Sequence, residues 1–303
     1  METPWGDLAV ADAHVHFFSH RFFTILADQK KEPVSSLGPL LGWQIPPEDP
    51  AELAADWVRE LDRHGVAKAA LIASLPGDAA SVIAAVQKFP NRFYGYMMVN
   101  PLAADTAGQV ERALASGSIH GLCLFPAMHC YSIQDQRVGA VLDLAAAKPG
   151  TIVFVHCGVL SVGVRKKLGL PSLFNMSFSN PIDLHAVALR FPHVTFVIPH
   201  FGAGYFREAL MVCDLCPNVH LDTSSSNSWT RYEETHVDLR AVFRRALEVA
   251  GPKRLLFGTD SSFFPRGWNS AVFEAQTKAL YEIGVTGEIA RQILHDNFAR
   301  LFS

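Results

Sequence analysis

Four histidines and one aspartate stand at positions from which they could bind one metal ion together. His14 and His16 lie two residues apart inside an apolar run, Leu-Ala-Val-Ala-Asp-Ala-His-Val-His-Phe-Phe. Side chains at positions i and i+2 of a strand point to the same face, so the sequence predicts that the two imidazoles project side by side. Two neutral imidazoles at one place suit a transition metal better than they suit apolar packing.

The other three polar residues each follow a short apolar run. His156 ends the run Ile-Val-Phe-Val-His, His200 ends Phe-Val-Ile-Pro-His, and Asp260 ends Leu-Leu-Phe-Gly-Thr-Asp. A single buried histidine is usually a hydrogen-bonded core residue, but five such groups at strand ends favour a shared site. We therefore predict that all five converge at one rim, where a bound metal would activate water or a substrate.

Eight short apolar runs alternate with segments of helical period along the chain. Strands with nearly continuous apolar character are typical of a parallel sheet covered by helices, and eight of them in a chain of this length predict a (β/α)8 barrel. Helices are predicted over residues 50–65 and 269–284, where apolar residues recur at helical spacing. The predicted strands are residues 7–18, 67–75, 93–101, 119–126, 151–158, 194–202, 219–226 and 254–264.

Long segments follow the first, fifth and seventh predicted strands, over residues 18–50, 159–180 and 224–238. Each leaves the carboxyl end of a strand, which is the face where barrels carry their active sites. We expect these loops to cover the site within a single domain, residues 1–303. Four side chains in rim loops are predicted to bind the substrate, and these are Arg21, Trp43, Arg165 and Arg231.

The composition and charge of the chain argue against several classes of function. The chain has 26 basic and 29 acidic residues, a net charge of −3, which indicates neither nucleic-acid binding nor a basic membrane surface. No long uncharged apolar stretch predicts a membrane span, and the first residues do not resemble a secretory signal. Five scattered cysteines fit a reducing compartment, so we expect a cytoplasmic protein with a small-molecule substrate; a homo-oligomer is compatible with the sequence.

The motifs together resemble the amidohydrolase superfamily. The matching elements are the His-Val-His motif, the histidines of Phe-Val-His-Cys-Gly and Ile-Pro-His-Phe-Gly-Ala-Gly, the aspartate of Leu-Phe-Gly-Thr-Asp, and the closing Ile-Leu-His-Asp-Asn-Phe-Ala-Arg-Leu-Phe. More narrowly, the chain is similar to the amidohydrolase-related branch that contains aminocarboxymuconate-semialdehyde decarboxylase-like enzymes. The resemblance covers nearly the whole chain and implies a barrel with a metal site.

The resemblance also implies roles for individual residues. It makes His14, His16, His156 and Asp260 ligands of one divalent ion, zinc or alternatively manganese, with His200 beside the metal as acid or base. Family members with two metals carry a carboxylated lysine on the fourth strand, where this chain has Cys123. This departure favours one ion. Cys123 could itself be a ligand, although a buried apolar filler is the favoured interpretation.

The sequence leaves the reaction open among three hypotheses. The main one is a metal-dependent hydrolase of an ester, lactone or amide bond in a small substrate that could carry a carboxylate, with Asp260 and His200 as the catalytic residues that move protons. The alternative is a nonoxidative decarboxylase or hydratase of an unsaturated or aromatic carboxylic acid, in which the metal and an arginine bind a carboxylate. The third is a structural metal closed by four protein ligands in a binding protein without catalytic activity.

Overall fold

Eight parallel strands form the centre of the structure, and each pairs with the next one along the chain. The computed structural model describes residues 1–302. A two-stranded hairpin, Glu2–Thr3 with Gly6–Asp7, precedes the barrel. The barrel strands are β1 (Ala11–Phe17), β2 (Lys68–Ala73), β3 (Phe93–Val99), β4 (Ile119–Leu124), β5 (Ile152–Val155), β6 (Thr195–Ile198), β7 (Val219–Asp222) and β8 (Leu255–Leu256).

The barrel closes between β1 and the segment that follows β8. The Ala13 N–H donates to the Phe257 carbonyl at 2.9 Å, and the His16 N–H donates to the Ser261 carbonyl at 2.7 Å. In return, the Asp260 N–H donates to the His14 carbonyl at 3.0 Å. The predicted (β/α)8 barrel is confirmed, although the eighth strand, Leu255–Leu256, is much shorter than the predicted residues 254–264. Asp260, beyond the end of this strand, has a left-handed conformation with φ of 60°.

Helices surround the strands, as the alternating pattern predicts. The predicted helices over 50–65 and 269–284 are confirmed as Pro50–His64 and Ser270–Glu282. The helices are α1 (His20–Lys30), α2 (Val34–Leu41), α3 (Pro50–His64), α4 (Ala79–Lys88), α5 (Thr106–Ala115), α6 (Pro126–His129), α7 (Gln136–Ala147), α8 (Gly163–Lys167), α9 (Asp183–Arg190), α10 (Phe206–Leu215), α11 (Leu239–Val249), α12 (Ser270–Glu282), α13 (Gly287–Arg291) and α14 (Asn297–Leu301). Short 3-10 turns occur at Met176–Phe178, Pro199–Gly202, Ser228–Tyr232 and Pro252–Arg254, and a π-helical turn at Gln292–Asp296. Among residues 1–302, none of the helices combines the length and the apolar character that crossing a bilayer requires.

The barrel interior is a packed core below the carboxyl ends of the strands. Small and large apolar side chains fill it in layers, and α14 closes its lower end with Phe298. A larger apolar cluster lies between the outer faces of the strands and the helices. Because the interior is filled below, the space for a ligand lies at the carboxyl ends.

The predicted long loops after β1, β5 and β7 are confirmed, and two of them form a cover with its own apolar core. The first loop carries α1 and α2, while the loop after β5 carries α8. Phe23 and Leu37 from the first loop pack with Val164 and Leu168 from the second, and all four are buried. The two loops therefore support one another over one side of the barrel mouth.

Candidate metal centre

Three of the five predicted residues bring their donor atoms into one small group. The Nε2 atoms of His14 and His16 lie 3.4 Å apart. An Asp260 carboxylate oxygen lies 3.3 Å from His16 Nε2 and 3.7 Å from His14 Nε2. Ligands placed about 2.1 Å from a tetrahedral ion stand about 3.4 Å from one another. The spacing of these three donors therefore fits binding to a single ion.

A register shift in β1 orients the two histidines. The pairing of β1 with β2 shifts between Asp12 and Val15. Ala13 packs in the barrel interior, whereas Val15, two residues on, packs against the outer helices. The shift thus turns His14 and His16 toward the barrel mouth instead of the outer layer.

Polar groups hold both imidazoles through their Nδ1 atoms: the buried Asp222 and the half-buried Ser74. His14 Nδ1 is 2.6 Å from a carboxylate oxygen of Asp222, and His16 Nδ1 is 2.7 Å from the Ser74 hydroxyl. Metal-binding histidines usually donate their second N–H to such a partner, which fixes the ring and its tautomer. Sequence reasoning missed both partners. The available signal was a carboxylate and a hydroxyl at the ends of apolar strands, the same pattern that marks Asp260.

His156 and His200 lie in the same cavity but outside the group of three close donors. Their ring centroids are 5.4 Å apart, and His200 is 5.0 Å from the His14 ring. The Ser224 hydroxyl lies between His14 Nδ1 and His200 Nδ1, at 3.0 Å and 2.9 Å. His156 Nδ1 is buried and has no hydrogen-bond partner among residues 1–302. A buried polar nitrogen without a hydrogen-bond partner lowers the stability of the folded protein. A ligand bound by His156 would offset this loss.

The environment sets the charge of each donor. Burial lowers the pKa of His16, His156 and His200, so these imidazoles are neutral, as metal binding requires. Burial by itself would lower the pKa of His14 as well, but the effect of the Asp222 carboxylate is larger and raises the His14 pKa. Burial opposes ionisation of Asp260 as well, yet the neighbouring histidines lower its pKa well below the usual range. The neutral imidazoles of His16 and His156 and the ionised carboxylate of Asp260 are donors that suit zinc and also manganese.

A cavity of about 770 Å³ lies over these donors. One wall is aromatic: Phe18 stacks on Phe22 with ring centroids 4.2 Å apart, and Trp43 stacks on Phe263 at 3.9 Å. The Asp260 side chain is 35% exposed toward this space. The donors can therefore meet a small molecule in the cavity.

The predicted substrate-binding residues divide into two groups. Trp43, Arg165 and Arg231 line the cavity. Arg21 does not line it, because α1 points its apolar face inward and leaves Arg21 exposed on the other side. Arg266, from the loop after β8, lines the cavity instead, close to Asp260.

Cys123 lies in the packed interior rather than among the close donors. Its side chain is fully buried, and burial raises the pKa of its thiol well above the usual range. Among residues 1–302, His14, His16 and Asp260 make the one cluster of three or more metal-binding side chains. The geometry therefore fits the mononuclear interpretation with Cys123 as a packing residue.

Comparison with solved structures gives the same architecture. A 5-carboxyvanillate decarboxylase from Novosphingobium aromaticivorans, complexed with manganese, is 13% identical with a TM-score of 0.66, covering 97% of this chain and 96% of that one. An amidohydrolase from Burkholderia multivorans with bound zinc is 15% identical with a TM-score of 0.62, covering 97% and 99%. A probable 2-pyrone-4,6-dicarboxylic acid hydrolase from Acinetobacter baumannii is 17% identical with a TM-score of 0.60, also covering 97% and 99%. At these identities the likeness concerns the fold.

Sequence comparison places the chain in a family. Protein fluG of Emericella nidulans is 30% identical over 139 aligned residues, and the match covers 42% of this chain and 16% of that much longer protein. The family model described as amidohydrolase matches residues 11–303, nearly the whole chain. The protein therefore belongs to the amidohydrolase family.

Proposed function

We propose that the protein is a metal-dependent hydrolase that cleaves an ester, lactone or amide bond in a small molecule. The observation that carries this proposal is the group of three donors, His14, His16 and Asp260, at the floor of an open cavity. A structural metal is usually enclosed by four protein ligands. Here a partly exposed carboxylate borders a space large enough for a substrate, which favours catalysis.

The residues that would hold one divalent ion are His14, His16, Asp260 and His156. The first three have the required spacing, and the fourth has a buried nitrogen without a partner. Zinc and manganese both suit this donor set, and each occurs in a protein of similar fold. Such an ion supplies Lewis-acid activation of a carbonyl group and of water.

Two residues are placed to move protons. Asp260 is ionised and partly exposed, so its carboxylate can orient an attacking water molecule and accept its proton. His200 has its Nδ1 held by the Ser224 hydroxyl, which leaves Nε2 to stabilise or protonate the oxygen of the cleaved group. Together they would provide a base and an acid in the same cavity.

A nonoxidative decarboxylase is the second candidate, because one specific feature favours it. The aromatic wall around Trp43 and Phe263 suits a flat ring, and Arg266 beside Asp260 suits a carboxylate on that ring. The fold is shared with 5-carboxyvanillate decarboxylase. In this reaction the ring carbon that loses carbon dioxide would take a proton from His200, or from Asp260 after that carboxylate had accepted a proton from water.

The test begins with elemental analysis of protein purified without added metal. We expect about one divalent ion per chain in the wild type and strong loss of metal in His14→Ala and Asp260→Asn. His193→Ala, a change at an exposed histidine, is the control and should keep the metal. Full metal content in both site variants would refute the ligand assignment.

Activity assays then separate the two reactions. A panel of lactones, esters and amides tests hydrolysis, and release of carbon dioxide from aromatic carboxylic acids tests decarboxylation. Turnover in the first panel supports the hydrolase. Carbon dioxide release without turnover of any lactone, ester or amide would replace it with the decarboxylase.

A further inference from the structure

The cavity over the candidate metal centre has an uneven distribution of charge. Asp260 is the one acidic residue among its lining residues, whereas four cationic side chains line it. None of these four forms an ion pair with a carboxylate within residues 1–302, although most arginines on the outer surface do. A pocket lined by charges of one sign raises the local concentration of ligands of the opposite sign. The four cationic residues are Arg165, Lys167, Arg231 and Arg266.

Arg266 differs from the other three in its distance from the reactive centre. Its Nη2 donates to the Asp260 carbonyl at 3.1 Å and to the Ser262 hydroxyl at 3.0 Å. Its guanidinium lies 4.6 Å from the Phe263 ring centroid. Arg165 instead donates to the Pro171 carbonyl, away from the candidate metal centre.

The other two cations are also less suited to the reacting group. Arg231 donates to the Tyr232 hydroxyl, and Lys167 lies 5.4 Å from the Trp43 ring centroid. Within residues 1–302, Nε and Nη1 of Arg266 have no acceptor, so an oxyanion can use them. An anion bound there would lie beside the Asp260 backbone.

The loop that carries Arg266 is held in place on both sides of the residue. On one side, Phe263 stacks on Trp43 from the first loop. On the other, the Trp268 N–H donates to the buried Glu60 carboxylate at 2.9 Å, and Gly267 packs so closely on Glu60 that a Cβ would overlap it. Arg266 itself is exposed, but the backbone that carries it is held on both sides and its Nη2 already makes two hydrogen bonds, which reduces the freedom lost when the guanidinium binds a planar oxyanion.

We propose that Arg266 binds an anionic group of the substrate beside Asp260 and thereby selects anionic over neutral molecules. The inference rests on the proposed function only in taking this cavity as the substrate site. It assigns the substrate class: a small planar molecule that carries a carboxylate or another oxyanion next to the bond that reacts. Arg266 is thus a specificity-determining residue.

Binding measurements test this without any need for turnover. Benzoate and benzamide have the same size and ring but differ in charge, and each is titrated by calorimetry into the protein as purified. We expect benzoate to bind about ten- to a hundredfold more weakly to Arg266→Gln than to the wild type, because an ionic hydrogen-bonded contact is lost. Benzamide should bind equally to both. Arg266→Lys should retain part of the benzoate affinity, and Arg112→Gln, a distant exposed change, should retain all of it.

Three results would overturn the proposal. The first is unchanged benzoate affinity in Arg266→Gln. The second is equal weakening of benzoate and benzamide, which would mean that Arg266 only positions Asp260. The third is no preference for benzoate in the wild type, or no binding of benzoate at all. Metal content and hydrolysis are measured separately from benzoate binding. A failure of the proposed reaction would therefore leave the anion site intact, and a failure of the anion site would leave the proposed reaction intact.

Discussion

The contact between His14 and Asp222 allows a test of whether a buried carboxylate supports His14 as a metal ligand. Asp222 is buried at the end of β7 and uses both carboxylate oxygens. One oxygen is 2.6 Å from His14 Nδ1, and the other accepts from the Ser224 N–H at 2.6 Å. The change Asp222→Asn preserves the shape of the side chain but removes its charge and replaces one acceptor with a donor. The amide can therefore satisfy His14 or Ser224, but not both.

The size of the effect follows from these two contacts. An ionic hydrogen bond contributes about 1.5–3 kcal/mol, against about 1 kcal/mol for a neutral one. Replacing the ionic hydrogen bond to His14 with a neutral one, together with poorer orientation of the ring, should weaken metal binding about ten- to a hundredfold. The buried donor left without an acceptor should lower the free energy of unfolding by a further 1–3 kcal/mol, roughly.

Metal affinity is measured by competition with a chelator of known affinity, and stability by urea denaturation of the same samples. Asp214→Asn, an exposed change on α10, is the matched control and should leave both quantities unchanged. If Asp222→Asn binds metal as tightly as the wild type, His14 is not a ligand that depends on its buried partner. The assignment of the centre would then need to change.

Three further predictions concern residues around the site and in the barrel wall. Burial lowers the pKa of His220 to about 4, so the unfolded chain binds its proton first as pH falls from 6.5 to 4. The free energy of unfolding should therefore fall by about 3 kcal/mol over this range because of His220. Urea denaturation at pH 7 and pH 4.5 should show a smaller fall for His220→Gln than for the wild type. The control variant, exposed His193→Gln, should show the same fall as the wild type. Gly158 has φ of 78°, and a Cβ there would overlap the carbonyl oxygens of Gly202 and Ala203. Thermal denaturation should therefore show that Gly158→Ala is destabilised by about 3 kcal/mol or more. An unchanged melting temperature would contradict this close approach of the backbone. Cys123→Ala should retain full metal content in elemental analysis, because the thiol lies in the apolar interior; loss of the ion would make Cys123 a ligand.

The barrel and the convergence of the five residues could be predicted because both depend on local patterns. Buried parallel strands are apolar along their length, so a histidine or aspartate at the end of one stands out in the sequence. Parallel strands in a barrel bring all their carboxyl ends to one rim. The placement of His156, His200 and Asp260 at that rim therefore follows from the sequence pattern alone. Their roles as ligand, acid or base remain predictions for the experiments above.

The parts that could not be predicted depend on long-range contacts or on small local irregularities. Asp222 and Ser74 meet the two histidines only through pairing of distant strands. Arg21 belongs to a loop at the carboxyl end of β1, yet the apolar residues of α1 turn inward and leave Arg21 exposed outside the cavity. The position of Arg266 depends on how the segment after β8 folds along the cavity, which no local pattern in the sequence shows.

Backbone conformation at two strand ends links the fold to the proposed chemistry. His200 and Asp260 both have left-handed backbone angles, with φ of 55° and 60°. This conformation costs a residue with a side chain about 1–2 kcal/mol, so the surrounding contacts must enforce it. At Asp260, the hydrogen bond from its N–H to the His14 carbonyl contributes to this. The carboxylate of Asp260 lies 3.3 Å from His16 Nε2 and 3.7 Å from His14 Nε2. The cost in backbone energy thus brings a carboxylate to two imidazoles, an arrangement that a regular strand of alternating side chains would not produce.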